Sequence, residues 1–270
     1  MTDRSTIAVV GVGAMGEALV SGLLGAGWEP GELALCVRRM ERGDELAHKT
    51  GCAVFLDPVE AIRARDVVVV AVKPRDVVDL LKTLAGHVAG DQVVLSLAAG
   101  VTTATYESQL GAIPVVRAMP NTPALVREGV TGIAPGGHAG PDQLDVAREV
   151  LGAVGAVRIM EESLLDAVTA VSGTGPAYVF LLAEALTEAA MREGLPRDVA
   201  ENFVHQTIRG AGHLLTDTGK SPARLRYEVT SPGGTTAAAM HVLEEKGFRA
   251  VVEDAVRAAA IRARELGGGA

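Results

Sequence analysis

Residues 229–236, VTSPGGTT, run straight into AAAMHVLEE and concentrate residue types suited to binding a small anion. Pro232 fixes one backbone dihedral, and Gly233 and Gly234 let the chain turn through conformations closed to other residues. Thr235 and Thr236 then open a helix. Ser231, Thr235 and Thr236 would thus set hydroxyls beside the bare N–H groups of a helix N-terminus. That concavity is a seat for a small anion such as a carboxylate. Ser, Thr and Gly also belong at an ordinary capping turn, and on local chemistry alone both readings stand.

A second constellation lies near the N-terminus. Residues 6–10 (TIAVV) form a short β-branched run ending in Gly11-Val12-Gly13-Ala14-Met15-Gly16, and an apolar helix pattern follows over 14–24. A GxGxxG between strand and helix is the context a dinucleotide pyrophosphate needs. Gly11 permits the tight turn, Gly13 lets phosphate approach the backbone, and Gly16 lets helix pack on strand. The next strand, 33–37 (LALCV), ends at Arg38-Arg39, where an NAD site carries Asp or Glu for the ribose 2′-hydroxyl. Two guanidinium groups suit a 2′-phosphate, so the pattern predicts NADPH as cofactor, with NADH possible.

The elements that must position these groups follow from periodicity. Residues 67–72 (VVVVAV), 92–96 (QVVLS) and 114–119 (PVVRAM) read as buried strands of a parallel sheet. Their C-terminal ends face the ligand crevice. This sets Ala71, Val72, Lys73 and Pro74 along the cofactor, with Asn121 in the Pro120–Pro123 loop beside them. That loop should be rigid, with no helix before Pro123. A strand over 131–134, a helix over 142–151 and a strand over 156–159 complete the sheet. From Glu161 onward the period becomes 3.6. Helices are expected over 164–171, 177–192, 197–218, 221–228, 235–245 and 248–266, with 172–178 (SGTGPAY) as a Gly/Pro-rich bend. The fold expected is an α/β Rossmann-like domain over residues 1–160, then an all-α substrate-binding and dimerisation domain over 161–270. Residues 178–191 are apolar on most of their circumference and need burial on several sides. The helical half is too small to supply that alone, which predicts a homodimer.

Composition sets outer bounds. In 270 residues, 48% are hydrophobic and 3% aromatic, so the cores must be aliphatic. A net charge of −8 argues against a nucleic-acid partner. No apolar run approaches the roughly 20 residues of a membrane span, and the first strand begins too early for a signal peptide. A cytoplasmic protein without membrane partners is expected. Cys36 and Cys52 make neither a metal spacing nor a disulfide framework, so no metal is expected.

GVGAMG, AVKP at 71–74, MPNTP at 119–123, AVSGTGPAY at 170–178 and VTSPGGTT followed by HVLE together resemble pyrroline-5-carboxylate reductase. The landmarks keep that family's order and spacing and span nearly the whole chain. The resemblance implies NAD(P)H-dependent reduction of 1-pyrroline-5-carboxylate to L-proline, the last step of proline biosynthesis. It also implies a dimer interlocked through the helical domains, with a larger ring of dimers possible. By position, Thr236 would bond the imine nitrogen as the catalytic residue. Ser231, with the N–H groups around Gly233, Gly234 and Thr235, would hold the substrate carboxylate. Three positions depart from the family's pattern. Thr174 replaces a Ser, Glu228 stands where Asp or Asn is common, and Pro58 sits where an Asn often reaches the adenosine ribose. Two other classes share some of these features: a β-hydroxyacid dehydrogenase-like enzyme and a non-enzymatic NADP-binding regulatory module. The first needs a base in the helical half, where Lys220, Lys246, His205, His213 and His241 are the groups on offer.

Overall fold

A computed structural model of the chain describes residues 4–267. By contacts the chain divides into two compact units, one comprising residues 1–174 with 259–270, the other residues 175–258.

The first unit is an eight-stranded sheet covered by helices. In chain order it holds β1 (Ile7–Val10), α1 (Ala14–Gly25), β2 (Leu33–Cys36), α2 (Met40–Thr50), β3 (Ala53–Phe55), α3 (Pro58–Ile62), β4 (Val67–Val70) and α4 (Pro74–Leu84). There follow β5 (Val93–Ser96), α5 (Thr103–Leu110), β6 (Val115–Met119), β7 (Gly129–Pro135), α6 (Pro141–Gly152), β8 (Gly155–Ile159) and α7 (Leu165–Val168). The strand order is β3-β2-β1-β4-β5-β6-β7-β8. The order reverses beside β1, which makes its C-terminal end the crevice where ligands bind in open α/β sheets. Every residue of β1, β2, β4 and β5 is buried. Their side chains alternate between two cores. Val67 and Val69 join Leu19 and Leu23 of α1 and Val150 of α6, whereas Val68 and Val70 join Val77 and Leu81 of α4 and Tyr106 of α5. Burial on both faces explains why these strands read as unbroken runs of apolar residues.

The strand pairs are parallel except β6 with β7. Only residues 120–128 lie between them, and these hold a short 3-10 helix, Thr122–Val126, and Arg127 at φ +61°. A parallel return needs a crossover of about a dozen residues or more, so β7 must run back beside β6. The 3-10 helix opens one residue ahead of Pro123, which the loop expected there did not include. Beneath the sheet's end, the buried Arg117 on β6 pairs with Glu162 (3.2 Å) and Asp166 (3.6 Å). Glu162 also accepts from the Thr103 N–H (2.9 Å) and hydroxyl (2.7 Å), which ties the first turn of α5 to the segment that follows β8.

The helix expected over 164–171 is instead a 3-10 turn (Glu162–Leu164), α7 and a π-helical turn (Thr169–Gly173). The wide turn is closed by Thr174, whose N–H (2.8 Å) and hydroxyl (3.0 Å) both donate to the Thr169 carbonyl. At Gly173 a Cβ would lie 2.7 Å from the Met119 Cε, the mobile end of a side chain packed against that turn. Of the bend expected over 172–178, Thr174 alone remains one, and the residues on either side of it are helical. Pro176 sits in the first turn of the next helix, where a missing N–H costs nothing.

The second unit contains α8 (Gly175–Arg192), α9 (Arg197–Asp217), α10 (Pro222–Glu228), α11 (Thr235–Glu245) and most of α12 (Phe248–Leu266). Its buried side chains are few: Thr187 on α8, and Ala200 and Val204 on α9. Large apolar residues stand in solvent, with Phe180 at 62% and Leu181 at 66% exposure. The stretch Glu162–Arg192 is the one among the described residues with the length and composition of a membrane span, at mean hydropathy 1.3. Its apolar residues are interleaved with a few polar ones, which is why no unbroken apolar run marks it in the sequence.

Candidate functional site

The crevice at the strand ends is a cavity of about 850 Å³. It is lined by Gly11, Gly13, Ala14 and Met15 after β1, Arg38 and Arg39 after β2, and Ala71, Val72, Lys73 and Pro74 after β4. The three glycines of the turn do different work. Gly11 has φ +92°, and a Cβ there would lie 2.6 Å from Val72 Cγ1. At Gly16, buried behind the turn, a Cβ would lie 2.8 Å from the Gly11 carbonyl oxygen. Gly13 has an ordinary φ of −85° and a Cβ would meet nothing within 4 Å. Packing therefore requires glycine at 11 and 16, whereas at 13 only a ligand on the open side does. Gly13 is also the N-cap of α1 and offers no side-chain cap, so among the described residues the first N–H groups of α1, beside the cavity, have no side-chain acceptor. This cradle fits a dinucleotide pyrophosphate.

The β2 end is strongly basic. Arg38 is ion-paired with Asp76, and Arg39 is exposed with no ion-pair partner among the described residues. Arg42, which sequence reasoning passed over, also lines the cavity. It is held between Glu17 of α1 and Glu45 (2.7 Å). The Lys49 ammonium and the Arg42 guanidinium hold the Glu17 carboxyl below its usual range against the opposing effect of burial. Cys36 reaches the same cavity, but burial, reinforced by Asp57, pushes its thiol up to about 11. It stays a neutral thiol at physiological pH and is no nucleophile. Pro58 lines the wall and offers no side-chain hydrogen bond, so an adenosine-ribose contact of that kind is absent there.

Asn121 does not line the cavity. It is 8% exposed, and its Oδ1 accepts from the Val130 N–H at 2.9 Å. The carboxamide oxygen is spent on tying the proline-flanked loop to β7, and the neighbouring Thr122 stands on the cavity wall instead. Its asparagine type alone did not reveal this, because the tie reaches nine positions along the chain.

In the helical unit, the VTSPGGTT turn has the geometry its glycines allow. Gly233 takes φ +69°, and the Gly234 N–H donates to the Ser231 carbonyl at 3.1 Å. Gly234 is the N-cap of α11 without a side-chain cap. No hydrogen bond occupies the hydroxyls of Ser231, Thr235 or Thr236 among the described residues. Other threonines of this unit do close on a carbonyl four residues back, Thr207 on that of Phe203 (2.7 Å) and Thr230 on that of Arg226 (2.6 Å). The turn thus gathers free hydroxyls and unmet N–H groups, which is the donor set for a carboxylate. Glu228 is committed elsewhere, to Lys220 (2.9 Å) and Arg224 (2.8 Å), and those two cations lower its carboxyl from the usual range. Lys220, Lys246, His205, His213 and His241 are all exposed, so none is a buried base of the kind an alcohol dehydrogenase requires.

A doubly wound sheet with a glycine cradle and a basic β2 end, joined to a helical unit, defines a nicotinamide-dependent oxidoreductase. Residues 6–100 match the family described as NADP oxidoreductase coenzyme F420-dependent, and residues 162–266 match pyrroline-5-carboxylate reductase dimerisation. A pyrroline-5-carboxylate reductase of Corynebacterium melassecola is 43% identical over 97% of this chain and 99% of its own. A solved pyrroline-5-carboxylate reductase of Coxiella burnetii superposes with a TM-score of 0.94 at 39% identity, covering 98% of this chain and 99% of that one. That of Plasmodium falciparum, solved with NADP bound, superposes at 0.87 with 28% identity over 99% of this chain and 100% of its own. The chain belongs to the pyrroline-5-carboxylate reductase family.

Proposed function

We infer that the chain reduces 1-pyrroline-5-carboxylate to L-proline, using NADPH as the preferred electron donor and NADH less well. The observation that carries this reading is the VTSPGGTT turn, whose hydroxyls are unengaged, in a chain that matches the reductase family from end to end. When bound, the reduced nicotinamide supplies a hydride to the carbon of the substrate's C=N bond. Gly13 and the first turn of α1 hold the pyrophosphate, Arg38 and Arg39 meet the 2′-phosphate, and Ala71–Pro74 with Met15 flank the rest of the cofactor. Ser231, Gly233 and Thr235 grip the substrate carboxylate through N–H and O–H donors, while Gly234, whose N–H donates to the Ser231 carbonyl, closes the turn that presents them. The Thr236 hydroxyl orients the ring nitrogen. A threonine hydroxyl is too weak an acid to protonate that nitrogen unaided at neutral pH, so Thr236 relays a proton from water or receives the iminium already protonated. Positioning the two reacting carbons is the protein's main contribution.

Purified protein mixed with NADPH and pyrroline-5-carboxylate should consume reduced-cofactor absorbance in step with proline formation, and more slowly with NADH. Absence of consumption with the imine present would overturn the reading.

Residues 161–270 act as the substrate-binding and dimerisation domain, with residues 1–160 as the NADP-binding domain. The exposed apolar face of α8 is then covered by a second copy rather than by lipid, and dimers assemble further into a ring. The enzyme works in the cytoplasm. Leu181→Glu places a charge on that face, and sedimentation equilibrium should report loss of the dimer with activity lost in parallel. An L181E protein still dimeric at micromolar concentration would show that α8 lies outside the interface.

A further inference from the structure

We propose that Asp76 tunes how strongly this chain discriminates NADPH from NADH, by competing with the cofactor's 2′-phosphate for the Arg38 guanidinium. The proposal rests on the reading that Arg38 meets that phosphate.

Arg38 follows β2 and Asp76 lies in the first turn of α4, just after β4. These two strands flank β1 on either side, so the Arg38–Asp76 ion pair reaches across the mouth of the crevice. Both residues line the same cavity. The two ends of the pair are held unequally, with Asp76 only 26% exposed and Arg38 72%. Arg75 also stands near the same carboxylate, its Nε 3.8 Å from Asp76 Oδ1. The carboxylate is therefore the fixed partner and the Arg38 head the one free to exchange.

The other arginines of the cavity are placed differently. Arg39 has no acidic partner among the described residues, and Arg42 pairs with Glu17 and Glu45, neither of which lines the cavity. Among the described residues, Arg38 is the one arginine lining the cavity that is tied to an acid of the cavity wall itself. A 2′-phosphate carries close to two negative charges and three acceptor oxygens, so it displaces one carboxylate from a guanidinium. The displaced Asp76 carboxylate remains beside the newcomer and repels it. NADH brings no 2′-phosphate, leaves the pair in place and is indifferent to the charge on Asp76. An acid in the first turn of α4 also suits the helix dipole, and that role is separable by experiment.

Asp76→Asn keeps the size and removes the charge. Titrations of NADPH and of NADH, followed by cofactor fluorescence, give dissociation constants for wild type, D76N, R38Q and the double variant. D76N should tighten NADPH about two- to fivefold, a range set by the modest strength of an exposed pair, with NADH unchanged. In the R38Q background, D76N should bring a smaller gain, because only the repulsion between the carboxylate and the phosphate is left to relieve. D76N that leaves the NADPH-to-NADH ratio at its wild-type value overturns the proposal. So does a loss of NADPH affinity alone, which would mean Asp76 orients Arg38, or an equal loss for both cofactors, which would mean it only supports α4. R38Q that keeps the wild-type ratio instead overturns the assignment of Arg38 to the phosphate, and the two failures are thus told apart. Should D76N fold poorly, Asp76→Ser retains a short polar side chain at that position and carries the same expectations.

Discussion

Thr236→Ala should lower kcat by about 10²- to 10³-fold, the usual cost of removing one well-placed hydrogen-bond donor from a reacting centre, while the dissociation constant for NADPH stays at its wild-type value. Thr236 is the second residue of α11 and Gly234 is the N-cap. The substitution therefore removes no cap, and alanine is the better helix former. No internal hydrogen bond is lost either, since the Thr236 hydroxyl has none among the described residues. Thermal stability should consequently stay within about 0.5 kcal/mol of wild type. A large fall in turnover with an unchanged melt and unchanged cofactor binding isolates the hydroxyl's chemical role. Thr236→Ser keeps the donor and should recover most of the activity, whereas Thr236→Val keeps the shape and should not. T236A turning over at the wild-type rate would remove this threonine from the reacting centre.

Much of the fold was legible because its strongest elements obey one rule each. VVVV at β4 is buried on both faces, and burial on both faces leaves no reason for polar residues. α11 and α12 begin and end where the sequence placed them, after Gly234 and Gly247, since glycine stops are local signals. Elements that escaped notice draw their stability from elsewhere. β3 has three residues, none fully buried, and is held by pairing with β2. The π-helical turn at Thr169–Gly173 is closed by Thr174 and packs beside Met119, fifty-odd positions away in sequence.

The same division runs through the site. The glycine cradle and the VTSPGGTT turn are contiguous, and their chemistry is written in adjacent letters. The ion pairs that hold the basic wall are not: Arg38 meets Asp76 across 38 positions and Arg42 meets Glu17 across 25. A charged residue in a sequence shows what it can pair with, but only the strand order shows what it does pair with. Asn121 illustrates the converse, a polar residue at a strand end whose oxygen is consumed by a neighbouring strand.

Gly13→Ala should fold as the wild type does and weaken NADPH and NADH alike by at least about tenfold, roughly 1.4 kcal/mol. The backbone at Gly13 sits at φ −85°, where alanine is unstrained, and the added methyl meets no protein atom within 4 Å. What it meets is the space over the first turn of α1, where a pyrophosphate must come close enough to take hydrogen bonds from backbone N–H groups. Gly11→Ala and Gly16→Ala are the controls. At position 11 the methyl would press on Val72 (2.6 Å from Cγ1, 2.8 Å from N) at a left-handed φ, and at 16 on the Gly11 carbonyl oxygen (2.8 Å). Both should therefore lose stability, by about 1–3 kcal/mol, and lose cofactor binding only as a consequence. Calorimetric melts beside cofactor titrations separate the cases. G13A should keep its melting temperature and lose affinity, whereas the other two should lose melting temperature first. Because the methyl at 13 acts on the pyrophosphate, which both cofactors share, the NADPH-to-NADH ratio should not move, in contrast to substitutions at Arg38. G13A binding NADPH as tightly as wild type would mean that the phosphates do not rest on this turn.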